Sequence, residues 1–312
     1  MVQRRIRIKT KGKDLLIVIL ATLVLLETLI ILFLLPTLPK RKITPSLKKK
    51  TTAVEKTGVK KNLYSQQKLK QMVLAPPIKN MPIAERQKPS KLRPKISIVI
   101  DDWGYNISHL NLLEEINIPL TISVLPFLEY STEVATFGYK HGFEIIIHMP
   151  MQPKKEDVEN WEKSTLTTAM KEKEVVSILN KAFSEIPYAK GMNNHMGSLA
   201  TTDQNLMMIV FKELKKKNMF FLDSYVNPDS ICQAIAKKVG IKFAKRSIFL
   251  DNILSPTYIR AQLMELAKKA DEEGQAIGIG HDRQMTLLVL KEVVPQLQQA
   301  GYDFVFVSEI VR

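Results

Sequence analysis

The stretch that most constrains this chain is Lys95-Ile-Ser-Ile-Val-Ile-Asp101-Asp102-Trp103-Gly104-Tyr105. Its β-branched run is short and apolar enough to be a strand buried on both faces, as in a parallel sheet. The two carboxylates that end it cannot share that burial. They are expected to emerge at the strand's carboxyl end, where parallel α/β folds gather ligands and catalytic groups. Alternation along an extended backbone sends adjacent side chains to opposite sides. Asp101 and Asp102 are therefore expected to point apart and do different work, one of them holding something such as a metal.

From Lys95 onward strand and helix signals alternate. Strands are expected to begin near Ile96, Leu120, Phe143, Ala189, Met219, Ser247, Gln275 and Asp303, with amphipathic runs between them. Ser255-Pro256 reads as an N-cap followed by proline at the first helical position, and Gly274 closes that helix. Gly240 and Gly301 end two others, and Thr202-Asp203 opens the run to Lys217. Successive strands start 23–30 residues apart, except for one longer interval holding the polar segment Met149 to Thr168 with Trp161, read as a loop inserted over one end. Seven to eight parallel βα units predict a single α/β barrel. A doubly wound open sheet is the alternative, but no Gly-rich phosphate loop follows the first strand.

Charge divides the chain at the same point. Residues 1–95 carry 23 Lys/Arg against 4 Asp/Glu, whereas residues 96–312 carry 23 against 27. A nucleic-acid-binding body is disfavoured, because such domains cluster basic residues on the folded surface. Residues 1–14 read as a basic cytoplasmic tail, and 15–36 as an uncleaved transmembrane signal anchor of about 20 apolar residues. Glu27 interrupts it. Six Lys/Arg precede the span and six follow within 15 residues, so charge bias alone does not orient it. Residues 37–94, rich in Lys, Pro and Gln, read as a flexible basic linker, either solvated or lying against anionic head groups or wall polymers. The barrel domain is expected over 95–312. Cys232 is the single cysteine, which excludes an intrachain disulfide and a thiolate cluster, and its helical pattern predicts a core thiol.

Polar residues fall where the predicted strands end. Beyond Asp101 and Asp102 these are His148, Asn193-Asn194-His195-Met-Gly-Ser198, Asp223-Ser224, Asp251 and His281-Asp282. Three of the five histidines thus meet on one rim, while His109 and His141 lie at helix edges as surface residues. Two imidazoles and a carboxylate suit zinc or a similar metal with a position open for water. Such a metal polarises a carbonyl and acidifies its water. A second carboxylate can take the proton, and an opposing histidine can protonate the leaving group.

Together, Ile98-Val-Ile-Asp101-Asp102-Trp-Gly104, His148-Met-Pro-Met151, Asn193-Asn-His195-Met-Gly-Ser198, Leu222-Asp223-Ser224 and Gly280-His281 resemble the divergent polysaccharide deacetylase family, a branch of the carbohydrate deacetylases with the NodB-homology fold. The resemblance covers about residues 95–311 and implies a distorted (β/α) barrel that binds a divalent metal, usually zinc, and removes N- or O-acetyl groups from polysaccharides. It implies Asp101 as base, Asp102 and His148 as metal ligands and His281 as general acid. Gln152 stands where the superfamily has a second histidine four residues on, so His195 is the expected third ligand. No Arg-x-Pro-Tyr motif is visible. Trp103, Asn194, Ser198, Asp223, Ser224, Asp251 and Asp282 are the expected substrate-binding or supporting residues.

Three functions compete. The first is a membrane-anchored, metal-dependent deacetylase of a cell-envelope polysaccharide, its barrel facing the periplasm or cell exterior. The second is a non-catalytic glycan-binding or envelope-assembly protein with a degenerate site. The third is another barrel metallohydrolase, cleaving an amide or phosphoester.

Overall fold

The computed structural model describes residues 93–154, 162 and 164–312. The tail and membrane span expected over residues 1–36, the linker as far as residue 92, and residues 155–161 and 163 of the polar segment lie outside the described residues. Among the described residues no helix is long and apolar enough to cross a membrane.

The β-branched run forms β1 (Lys95–Trp103), buried along nearly its whole length. The strands that follow are β2 (Leu120–Val124), β3 (Glu144–Met151), β4 (Gly191–Met196), β5 (Phe220–Asp223), β6 (Phe243–Lys245), β7 (Ile248–Phe249), β8 (Gln275–His281) and β9 (Asp303–Phe304). Between them lie α1 (Leu110–Glu114), α2 (Ser131–Lys140), α3 (Glu172–Glu185), α4 (Gln204–Lys216), α5 (Cys232–Val239), α6 (Pro256–Glu273) and α7 (Gln284–Gln299). The expected helix signals are used. Asp203 accepts from the Leu206 amide at 2.8 Å, Pro256 opens α6, and Gly240 and Gly274 take left-handed φ values of 76° and 79°. Ser255 is the N-cap of α6, but its hydroxyl makes no capping bond.

Every strand pairing is parallel, in the order β6-β5-β4-β3-β2-β1-β8-β7. β9 pairs with Lys95 and Ile96, the stretch of β1 that precedes its pairing with β2 at Ile98. The two ends of this path, β6 and β7, are joined by only Arg246 and Ser247. A sheet whose edge strands are tied by two residues must curl until its edges nearly meet. No ladder joins β6 to β7 among the described residues, so the curl is an unclosed, distorted barrel. β6 is the strand absent from the expected set. Three residues, Phe-Ala-Lys, are too few for a period-two pattern to emerge.

Side-chain alternation divides the interior into layers. Ile96, Ile98 and Ile100 pack outward into the core shared with the helices, and Cys232 lies in the same core as a buried free thiol. Val99, Ile146, Leu222, Ile277 and Ile279 form a second cluster, and Val305, Val307, Ile310 and Val311 of the C-terminal segment join it. That segment closes the amino end of the barrel: Val305 N–H donates to the Ile96 carbonyl, Ser308 N–H to Glu144, and Arg312 exchanges backbone bonds with Phe243. One end of the interior is therefore apolar and sealed. Asp101, His148 and His281 lie two residues beyond Val99, Ile146 and Ile279 on the same strands, so they face inward at the other end.

Candidate metal centre and active site

Strand register brings the rim residues together. His148 is opposite Asn193, Pro150 opposite His195, and Asp101 opposite His281. At the end of β1 the pairing with β2 shifts between Ile100 and Trp103, and Asp102 adopts a left-handed φ of 66°. Aspartate tolerates this conformation better than most residues, and such strain collects at functional sites. Met196, Phe127 and Tyr225 also have positive φ, each in or just beyond the carboxyl end of a strand. The bulge corrects one expectation. Asp101 and Asp102 do not simply point apart, because Oδ2 of Asp101 lies 3.7 Å and Oδ1 of Asp102 3.2 Å from the same His148 Nε2.

Asp102, His148 and His195 form a tight triangle. Asp102 Oδ1 is 3.2 Å from His148 Nε2 and 3.1 Å from His195 Nδ1, and the two ring nitrogens are 3.1 Å apart. Asp102 Oδ1 is buried without a well-aligned hydrogen bond. Tetrahedral coordination with bonds of ~2.0–2.1 Å would separate neighbouring donors by about 3.3 Å. The triangle, its orphaned oxygen and its two-imidazole, one-carboxylate chemistry therefore fit a single divalent ion, as a three-residue donor set.

Electrostatics tie the same groups together. Burial pushes the Asp102 carboxyl upward, but His148 and His195 overturn this and hold it far below the usual carboxylate range. Burial would lower the His148 imidazole, yet Asp101 and Asp102 raise it to about 9 in the metal-free protein. Burial raises Asp101, against the pull of His148 and His281. Asp101 Oδ1 accepts from Asn193 Nδ2 at 2.9 Å, which leaves Oδ2 on the side of His148.

On β8, the strand beside β1, His281 Nδ1 meets Asp251 Oδ1 at 2.7 Å, and its backbone N–H donates to Asp251 Oδ2. Thr286 completes the hold on Asp251, whose carboxyl stays low because these bonds outweigh its burial. Burial disfavours the charged His281 ring, but Asp251 raises its pKa above the ordinary value.

The other expected residues divide. Ser224 donates to the Asn194 carbonyl at 2.9 Å, and the Asn194 side chain accepts from the Ser224 amide, bracing β4 against β5. Ser198 accepts from the Lys154 amide beside the β3 terminus. Asp223 turns from the interior to bind Tyr225 N–H and Ser230 Oγ, shaping the loop into α5. Asp282 meets His109 Nδ1 at 2.7 Å, so His109 belongs to the rim; His141 stacks on Phe137 at a helix end. Trp103 is fully buried in the outer core, which suits the supporting one of its two expected roles rather than direct substrate contact. Gln152, at the superfamily's second histidine position, accepts from Thr168 N–H and Oγ1 and anchors the base of the inserted segment.

Three site residues had no expected role. Asn193 is among the strand-end polar residues, and its place two residues from His195 on the same strand face is the signal that could have assigned it one. Arg246 gives no sequence signal. It bridges β6 and β7, donates to the Ser224 and Tyr225 carbonyls and stacks 3.6 Å over Phe249. Glu162, 3.6 Å from His195 Nε2 and bonded to the Tyr105 hydroxyl, comes from the inserted segment, far from any strand end.

Fold and site define a parallel α/β barrel with a candidate one-metal centre at its carboxyl rim. The model of the divergent polysaccharide deacetylase family matches residues 98–311, and the chain belongs to that family. It is 35% identical over 203 residues to the uncharacterized protein YibQ of Escherichia coli K12, a match covering 65% of this chain and 63% of that protein's length. An uncharacterized Haemophilus influenzae protein is 34% identical over 197 residues, covering 63% of this chain and 70% of its own. The crystal structure of an uncharacterized protein from Agrobacterium tumefaciens C58 shares the fold, with a TM-score of 0.66 and 21% identity over 73% of this chain and 93% of that one.

The raised His148 yields a prediction. At pH 7 its imidazole is protonated in the metal-free protein, and a metal must displace that proton from Nε2. Zinc binding, measured by calorimetry in buffers of different ionisation enthalpy, is expected to release about one proton from this group at pH 7 and progressively fewer above pH 9. Release that does not change between these pH values would contradict a raised His148.

Proposed function

We propose that this chain is a metal-dependent hydrolase that removes acetyl groups from a cell-envelope polysaccharide. The observation that carries the reading is the Asp102–His148–His195 triangle, with Asp101 beside it and the Asp251–His281 pair on the adjacent strand end. Family membership supports the substrate class. Zinc, held by Asp102, His148 and His195, would supply Lewis acidity to the acetyl carbonyl and to a water.

The chain's own groups have separable tasks. Asp101 Oδ2 receives a proton from the attacking water, since Oδ1 is occupied by Asn193. His281 keeps Nδ1 on Asp251 and delivers a proton from Nε2 to the departing amine or alcohol.

His148→Ala and His195→Ala are expected to lose most bound zinc, and Asp102→Asn to lose zinc and activity together, because a neutral amide is a poor partner for a divalent cation. Asp101→Asn and His281→Ala should keep zinc and lose rate by ~10²–10⁴. Zinc content and acetate release from a panel of acetylated oligosaccharides measure both. Full zinc occupancy in the wild type with no acetate from any of them would favour the non-catalytic glycan-binding reading.

We also propose that residues 15–36 anchor the protein in the cytoplasmic membrane, with the barrel outside the cytoplasm; the 21-residue apolar run Leu15 to Leu35 supports this. Alkaline phosphatase fused after Arg312 should then be active in a bacterial host. An inactive fusion, with a cytoplasmic reporter active at the same point, would reverse the orientation.

A further inference from the structure

One fully buried amide touches both halves of the site. Asn193 Oδ1 accepts from His148 Nδ1 at 2.8 Å and from Ser123 Oγ at 2.6 Å. Its Nδ2 donates to Asp101 Oδ1 at 2.9 Å and reaches Ser224 Oγ at 3.4 Å. Chemistry fixes which way this amide faces. An ionised carboxylate only accepts hydrogen bonds, so the amide nitrogen must face Asp101 and the oxygen must face His148. Nδ1 of His148 must then carry a proton, and Nε2 is the nitrogen turned towards Asp102 and His195.

We propose that Asn193 is the positioning residue of this site, selecting His148 Nε2 as the metal ligand while holding Asp101 so that only Oδ2 is free. Metal-binding histidines usually give their second N–H to a carboxylate, a carbonyl or water. A carboxylate at position 193 would meet Asp101 with no donor between the two charges. A side-chain amide both accepts from the imidazole and donates to the base. The role assigned to Asp101 rests on the deacetylase reading; the selection of His148 Nε2 requires only that the triangle binds a metal.

The test uses full-length Asn193→Leu and Asn193→Asp, with folding checked by circular dichroism and thermal unfolding, zinc affinity by chelator competition, and acetate release. Leucine has a similar volume but no acceptor, and zinc affinity is expected to fall about 10–100-fold. Aspartate restores the acceptor for His148, so zinc affinity should stay at or above wild type. Acetate release should nonetheless fall about 10²-fold, because Asp101 loses its donor and its fixed position. A folded Asn193→Leu protein with wild-type zinc affinity overturns the proposal, as does an Asn193→Asp protein that loses zinc as severely as the leucine variant. If the zinc pattern appears but the wild type releases no acetate, the deacetylase reading fails and the selection of Nε2 stands. If neither variant folds, the ring-nitrogen shifts of ¹⁵N-histidine in zinc-loaded wild type decide: a protonated Nδ1 on His148 supports the proposal, and a protonated Nε2 overturns it.

Discussion

Two carboxylates sit at the end of a buried strand, Asp101 itself buried and Asp102 partly so, and the architecture of the rim depends on how their charge is met. An uncompensated buried carboxylate costs several kcal/mol. Asp101 and Asp102 are met by an amide and two imidazoles from β3 and β4, and the His281 ring on the adjacent strand β8 adds its pull on Asp101. A divalent ion in the triangle would balance both aspartates and leave the two imidazoles neutral. Without it, His148 supplies that balance by keeping its proton.

The barrel makes this arrangement stable by sealing its other end. Val305, Val307, Ile310 and Val311 fill the interior beneath Val99, Ile146 and Ile279, so the polar layer rests on a packed floor. β1, β3 and β8 each pass from an apolar inward residue to a polar one two positions on: Val99 to Asp101, Ile146 to His148 and Ile279 to His281. The apolar part fixes register and the polar part inherits it. The short β6–β7 connection leaves the circuit unpaired at one seam, and Arg246 ties the chain there to the Ser224 and Tyr225 carbonyls and to Phe249.

Much of this was legible from sequence because period-two alternation and strand-end chemistry are local. The first strand, the polar residues at strand ends and the pairing of three histidines with one rim all follow from patterns within a few residues. What escaped depends on distant or irregular structure. The left-handed turn at Asp102 brings both carboxylates to one imidazole, and alternation cannot foresee a bulge. β6 is too short to carry a pattern. Trp103 follows two acidic residues yet turns into the outer core. Asn193 and His109 have roles set by partners 45 to 173 residues away, which no local spacing encodes.

On the proposed reading, the family's metal site is rebuilt in this chain. Gln152 anchors the inserted segment where the wider superfamily has a histidine, and His195 on the next strand offers Nδ1 to the triangle instead. The central claim is that these atoms hold one metal ion. Crystals grown with equimolar zinc and measured at the zinc absorption edge test it most directly. The account predicts one anomalous peak bonded to Asp102 Oδ1, His148 Nε2 and His195 Nδ1. No peak there, or a single peak bonded to other side chains, would contradict it.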